Sequence, residues 1–250
     1  MYIFFRFYIG FINSHFEKNF LMETKKYIFC ALDFSELEKT ISFTKIIKDH
    51  IGGIKLGLEF FTKNGIKGVE ELKKIGLPIF LDLKLHDIPN TVKQSLKNVL
   101  DLSPNYVTVH LSGGLKMLEE LKHIKKKTKI IGVSMLTNLD EYDLKRMGFN
   151  NGKKSFVDNL VKIGVKAGID GIVSSPREVK YLKKKYRNLI FVTPGIRLPN
   201  HSKDDQKRIE TPKFAVQAGS NILVIGRPIT KSKNPLNSIE KIIENINYGK

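Results

Sequence analysis

Cysteine is almost missing from this 250-residue chain, which carries only Cys30. One thiol excludes an internal disulfide and offers no cysteine pair for zinc or dithiol chemistry, as expected of a reducing compartment and, by default, the cytoplasm. Cys30 lies in the apolar run "YIFCALD" and reads as a small buried side chain rather than a nucleophile. Long apolar runs are missing too. The opening "MYIFFRFYIGFINSHFEKNFLM" is interrupted by Arg6 and falls short of the ~20 apolar residues that span a bilayer. It lacks the charged start and small-residue cleavage site of a signal peptide, and the Arg and Ser of a transit peptide. Residues 1–22 are therefore read as a non-essential extension and residues 23–250 as one domain. Acidic residues are outnumbered, 25 against 43 Lys and Arg, for a net charge of +18. The lysines fall in separate helical blocks such as "HIKKKTK" and "YLKKKYRN". Without one stripe interleaved with aromatics, solvated helix faces are the better reading than a nucleic-acid surface.

What is present is a repeated arrangement. From Tyr27 onward a short β-rich apolar run is followed by a longer amphipathic segment. The predicted strands span 27–33, 53–60, 78–85, 106–112, 129–136, 171–175, 189–196 and 221–229. Between them, "SELEKTISFTKIIKDH" sets Leu37, Ile41, Phe43, Ile46 and Ile47 near one helical face. Ser175 followed by Pro176 marks another helix start, an N-cap before a first-turn proline. Eight such pairs in a chain of this length predict a (β/α)8 TIM barrel. The alternative is a doubly wound open sheet, but no G-x-G-x-x-G follows the first strand.

A barrel of this kind carries its site at the C-terminal ends of the strands. Polar residues gather there: Asp33, Asp82, Lys84, His110, Ser112, Ser134, Thr137, Ser174, Ser175, Arg197 and Arg227. In "FLDLKLHDIPNT" alternation puts Asp82 and Lys84 on one face, toward the barrel interior, with Leu81, Leu83 and Leu85 facing the helices. Lys55 of the second strand reaches the same space, and Asp87 lies just past the third. Burying several charges costs several kcal/mol each before pairing, so a catalytic array is a better reading than a structural network. A lysine between carboxylates can act as a general acid. After the last strand, Gly226 lets backbone approach an anion and Arg227 can pair with phosphate oxygens. The long polar segment from Arg197 to Arg208 suggests a lid, with Gln206 as a donor.

In order, "ALDF", "IKLG", "DLKLHDIPNT", "LTN", "TPGIR", the Gln of "DDQKRI" and "VIGRPIT" resemble the orotidine 5'-phosphate decarboxylase family from about Tyr27 to the C-terminus. D-x-K-x-x-D alone is shared with related sugar-phosphate barrels; the added motifs make the resemblance specific. It implies that Lys84 donates a proton to carbon 6 of the pyrimidine, that Asp82 faces the departing carboxylate, and that Lys55 holds Asp82 and the ribose. It implies that Asp33 and Thr137 bind the ribose or base region, that Arg197, Gln206, Gly226 and Arg227 hold the phosphate side, and that Ile88 touches substrate. Asp87 and Thr91 would reach into a partner's site, which makes a homodimer. No cofactor, metal, nucleic acid or membrane is expected. His86 and His110 are read as structural. The rivals are a metal-dependent sugar-phosphate decarboxylase or aldolase on the same barrel, and a basic nucleic-acid-binding protein on an inactive one.

Overall fold

Strands buried on both faces need apolar residues on both sides, and this requirement organises the chain. The structure is a computed structural model that describes residues 23–199 and 210–248; the extension 1–22 and Gln206 lie outside the described residues. Eight parallel strands close into a barrel in sequence order. They are β1 (Ile28–Ala31), β2 (Gly53–Gly57), β3 (Ile79–Leu85), β4 (Tyr106–His110), β5 (Lys129–Val133), β6 (Gly171–Val173), β7 (Ile190–Thr193) and β8 (Ile222–Ile225). The helices that follow them are α1 (Leu37–Ile47), α2 (Leu58–Lys73), α3 (Pro89–Leu100), α4 (Gly114–Lys122), α5 (Glu141–Arg146), α6 (Gly152–Ala167), α7 (Pro176–Lys185), α8 (Pro212–Ala218), α9 (Arg227–Thr230) and α10 (Pro235–Tyr248). The predicted (β/α)8 barrel is therefore the fold.

Outward-facing strand residues, among them Ile54, Leu56, Leu81, Val107, Val109 and Ile225, join the helices in one continuous core. Inward-facing residues form a second core. Phe29, Phe80, Ile131, Val192 and Ile222 close the barrel floor, with Phe29 and Phe80 both packed edge-on to Tyr106 at 5.7 Å between ring centroids. Gly53 makes this possible, because a Cβ there would lie 2.4 Å from the Phe29 ring.

Most strands end earlier than their apolar runs. The predicted 53–60 stops at Gly57, so Leu58, Glu59 and Phe60 open α2, and the predicted 221–229 stops at Ile225, with Arg227 already in α9. Leaving the ladder early frees backbone to turn over the barrel mouth. A second correction concerns α1. Its buried face carries Thr40, Thr44 and Ile47, while Ile46 is exposed. The threonines can be buried because their hydroxyls donate to carbonyls one turn back, Thr40 to Glu36 and Thr44 to Thr40, each at 2.7 Å. At α7 the predicted start holds: Pro176 opens the helix, and the Glu178 carboxylate accepts the Ser175 backbone N–H at 3.0 Å.

The lysine blocks are only partly a solvated surface. In "HIKKKTK", Lys125 pairs with Asp170 at 2.7 Å and Lys129 at 3.4 Å, while the Ile130 N–H donates to the same carboxylate at 2.9 Å. This cluster ties the start of β5 to the loop before β6.

Candidate active site

On the inner wall of the barrel the apolar floor gives way to charge within one strand repeat. Lys55 rises from β2, one pleat above Gly53, and Asp82 rises from β3, one pleat above Phe80. Asp33 stands in the loop after β1. Lys55 Nζ lies 3.1 Å from Asp33 Oδ1 and 3.5 Å from Asp82 Oδ2, and Lys84 Nζ lies 2.8 Å from Asp82 Oδ1. Across the mouth the order is therefore carboxylate, ammonium, carboxylate, ammonium. Gly57 makes room for it, since a Cβ there would sit 2.9 Å from Lys55 Nζ and 3.3 Å from Asp33 Oδ1.

The alternation decides the charge states. Burial works against a charged Lys55, but Asp82 and Asp33 outweigh it and hold the ammonium above its ordinary range. Burial likewise works against an ionised Asp82. Lys55 and Lys84, with hydrogen bonds from Lys84 and Thr108, hold it below the usual carboxylate range.

The third strand does not reach this geometry by plain alternation. Lys84 has a left-handed backbone, φ 50°, and the β3–β4 register shifts between Leu81 and Leu85. A non-glycine residue in that conformation is unfavourable by itself and is held there by its surroundings.

Above the charges opens a cavity of about 290 Å³, near the lower end of the ~300–1,000 Å³ typical of small-molecule sites. Lys55, Asp82, Lys84 and Asp33 line one side, and Val133, Met135, Val173 and Val192 form an apolar wall. Thr137, Arg197, Gly226 and Arg227 line the rest of the rim. A charged array, apolar side chains and two guanidiniums around one cavity suit an anionic ligand with an apolar portion. Arg197 is buried, and its Nη1 donates to the Ile196 carbonyl at 2.9 Å. The backbone beside it is closed off by Glu210: the Arg197 N–H donates to the Glu210 carbonyl at 3.0 Å, and the Glu210 N–H to that of Gly195 at 3.2 Å. Both ends of the segment that carries Gln206 are thus fixed at the rim.

Residues 26–242 match the Orotidine 5'-phosphate decarboxylase / HUMPS family. The chain belongs to that family. It is 46% identical over 209 residues to the orotidine 5'-phosphate decarboxylase of Erythrobacter litoralis, a match covering 83% of this chain and 93% of that relative. It is 44% identical over 222 residues to the corresponding protein of Wolbachia pipientis, covering 88% and 98%. Among solved structures, the orotidine 5'-phosphate decarboxylase of Lactobacillus acidophilus superposes with a TM-score of 0.73 at 33% identity, covering 88% of this chain and 98% of that one. By this kinship the chain is an enzyme, a decarboxylase.

In this family member the predicted residues divide into two groups. Asp33, Lys55, Asp82, Lys84, Thr137, Arg197, Gly226 and Arg227 meet at one cavity. Asp87, Ile88 and Thr91 do not line it. All three are exposed, Asp87 and Ile88 on the β3–α3 connection and Thr91 in the first turn of α3, with Ile88 at 67% accessibility, and Asp87 Oδ1 accepts the Ile88 N–H at 2.6 Å. Among the described residues no group of three or more His, Cys, Asp or Glu is placed to hold a metal ion, and no helix is long and apolar enough to cross a membrane.

Two contacts at the site were not expected. Thr108 points from mid-β4 into the charged layer, where its hydroxyl donates to Asp82 Oδ1 at 3.0 Å. Its signal was a polar residue on the inward face between Tyr106 and His110. Further out, the His86 and His110 rings lie 5.2 Å apart, tilted by 35°.

Burial, His86 and Lys84 together push His110 below its ordinary value of 6.5, against the opposing charge of Asp82. The unfolded chain then binds a proton near pH 6.5 that the folded chain resists. This contribution to stability is present above that pH and is lost as the pH falls below it. Melting temperatures measured between about pH 7 and about pH 5 should drop less for His110→Gln than for the native protein. Equal drops would show that His110 does not contribute.

Proposed function

We propose that the enzyme converts orotidine 5'-monophosphate to uridine 5'-monophosphate and carbon dioxide, the last step of UMP synthesis, in the cytoplasm. The observation that carries this reading is the alternating Asp33, Lys55, Asp82, Lys84 array at the barrel mouth, in a chain that aligns along almost the whole length of relatives bearing that name.

The chemistry follows from the charges. The bond between carbon 6 and the carboxylate breaks, carbon dioxide leaves, and the electron pair stays on carbon 6 as a carbanion that the ring cannot delocalise in the ordinary way. The Lys84 ammonium stabilises that charge and then gives carbon 6 its proton, later taking one back from solvent. Asp82, ionised and 2.8 Å from Lys84, aims the ammonium and faces the departing carboxylate. Lys55 holds Asp82 and the ribose, while Asp33 and Thr137 bind ribose hydroxyls or the base. Arg197, Gln206, Gly226 and Arg227 hold the phosphate. Binding energy from this remote end supports closure and positioning at carbon 6. No metal or other cofactor has a step in this scheme.

The active unit is a homodimer with shared sites. The exposure of Asp87, Ile88 and Thr91 away from their own cavity supports this, because it leaves them accessible to the site of a neighbouring chain. The ligand is a nucleotide rather than a nucleic acid, as the size of the cavity supports. Purified protein with orotidine 5'-monophosphate in excess chelator should consume the substrate, followed by its absorbance. Absence of turnover, or turnover that requires added divalent metal, would overturn the reading in favour of a metal-dependent sugar-phosphate enzyme.

A further inference from the structure

We propose that Thr108 is a positioning residue that sets where the Lys84 ammonium stands; the inference rests on the role given above to Lys84. Thr108 is fully buried in the middle of β4, opposite the register break in β3. Its hydroxyl oxygen accepts the Lys84 backbone N–H at 2.8 Å. The same hydroxyl donates to Asp82 Oδ1 at 3.0 Å, the oxygen that also receives Lys84 Nζ at 2.8 Å. A single hydroxyl thus grips Lys84 at both ends, directly at its main chain and through Asp82 at its ammonium.

This arrangement explains how β3 carries a left-handed lysine. The conformation is unfavourable for a side chain with a Cβ, and the register shift takes the Lys84 N–H out of the regular ladder. Thr108 supplies the acceptor that the ladder does not. A hydroxyl suits the place because one atom must accept from an amide and donate to a carboxylate. Valine has the same shape and can do neither, leaving a buried N–H without a partner and Asp82 with one donor fewer. Serine keeps both bonds.

The test is the series Thr108→Val, Thr108→Ser and Thr108→Cys, assayed with orotidine 5'-monophosphate after confirming a native circular dichroism spectrum. Displacement of a reacting group by about 1 Å costs on the order of 10²-fold, so Thr108→Val should lower kcat by ~10- to 100-fold with little change in KM. Thr108→Ser should restore most of the rate. If the valine protein does not fold, Thr108→Cys, with its weak acceptor and donor, takes its place and should lie below serine. In an Asp82→Asn background the valine substitution should cost distinctly less than alone, since the two act as one unit. A valine or cysteine variant within about threefold of native kcat, a loss confined to KM, or a serine variant no better than valine would overturn the proposal. Lys84→Ala is assayed alongside. Near-native turnover there would overturn the role of Lys84 itself, whereas an inactive Lys84→Ala beside a native-like Thr108→Val overturns Thr108 alone.

Discussion

Replacing Lys84 with alanine is expected to lower kcat by at least about 10⁴-fold while leaving the barrel folded. Two effects are removed together: general-acid transfer, which contributes ~10²- to 10⁴-fold, and a preorganised charge at the developing carbanion, which contributes ~10²- to 10³-fold. The fold should survive because Asp82 keeps Lys55 at 3.5 Å and the Thr108 hydroxyl at 3.0 Å, so no carboxylate is left buried without partners. The Lys84 side chain is itself partly exposed, and its loss opens no cavity in either core. Single-turnover measurements with orotidine 5'-monophosphate, beside a thermal melt, check both halves. Turnover within tenfold of native would remove Lys84 from the chemistry.

The second large effect is a gain. Asp87→Ala should be nearly inactive if Asp87 completes the site of a neighbour, and Lys84→Ala should be nearly inactive in its own. Co-expressed with different tags and isolated as the mixed dimer, the two defective chains should together recover about half the native activity per dimer, because a two-fold arrangement gathers both lesions into one site and leaves the other whole. If Asp87 serves its own chain, each site of the mixed dimer carries one lesion and nothing is regained. The exposed position of Asp87 and Ile88 at the end of β3 is what makes the first outcome the expected one.

The barrel and most of the residues that line its cavity were legible because each rests on a short-range pattern. Eight apolar runs separated by amphipathic segments specify eight strands and their helices. Charges in "FLDLKL" stand out because an inward position is ordinarily apolar. The features that were not legible depend on geometry between strands. Nothing in "YVTVH" says that Thr108 lies opposite a register break, since the break arises from how β3 and β4 pair. Nor does "DLKL" announce a left-handed lysine, a conformation that sequence suggests chiefly through glycine or asparagine. The face of α1 was misjudged for a related reason. Hydrophobicity alone assigns Ile46 inward, whereas Thr40 and Thr44 satisfy their hydroxyls within the helix and pack inward instead. Strand ends were overrun because apolar residues such as Leu58 and Phe60 continue into the following helix, where they serve another part of the same core.

The aromatic floor has a consequence for traffic. Phe29, Phe80, Ile131, Val192 and Ile222 are each at most 4% accessible, so beneath the charged layer there is no passage through the barrel. On the proposed reaction, carbon dioxide released above Phe80 would leave by the opening through which the nucleotide arrived. Gas escape and nucleotide exit would then share one doorway, and whatever covers that doorway during the reaction would govern the departure of both products.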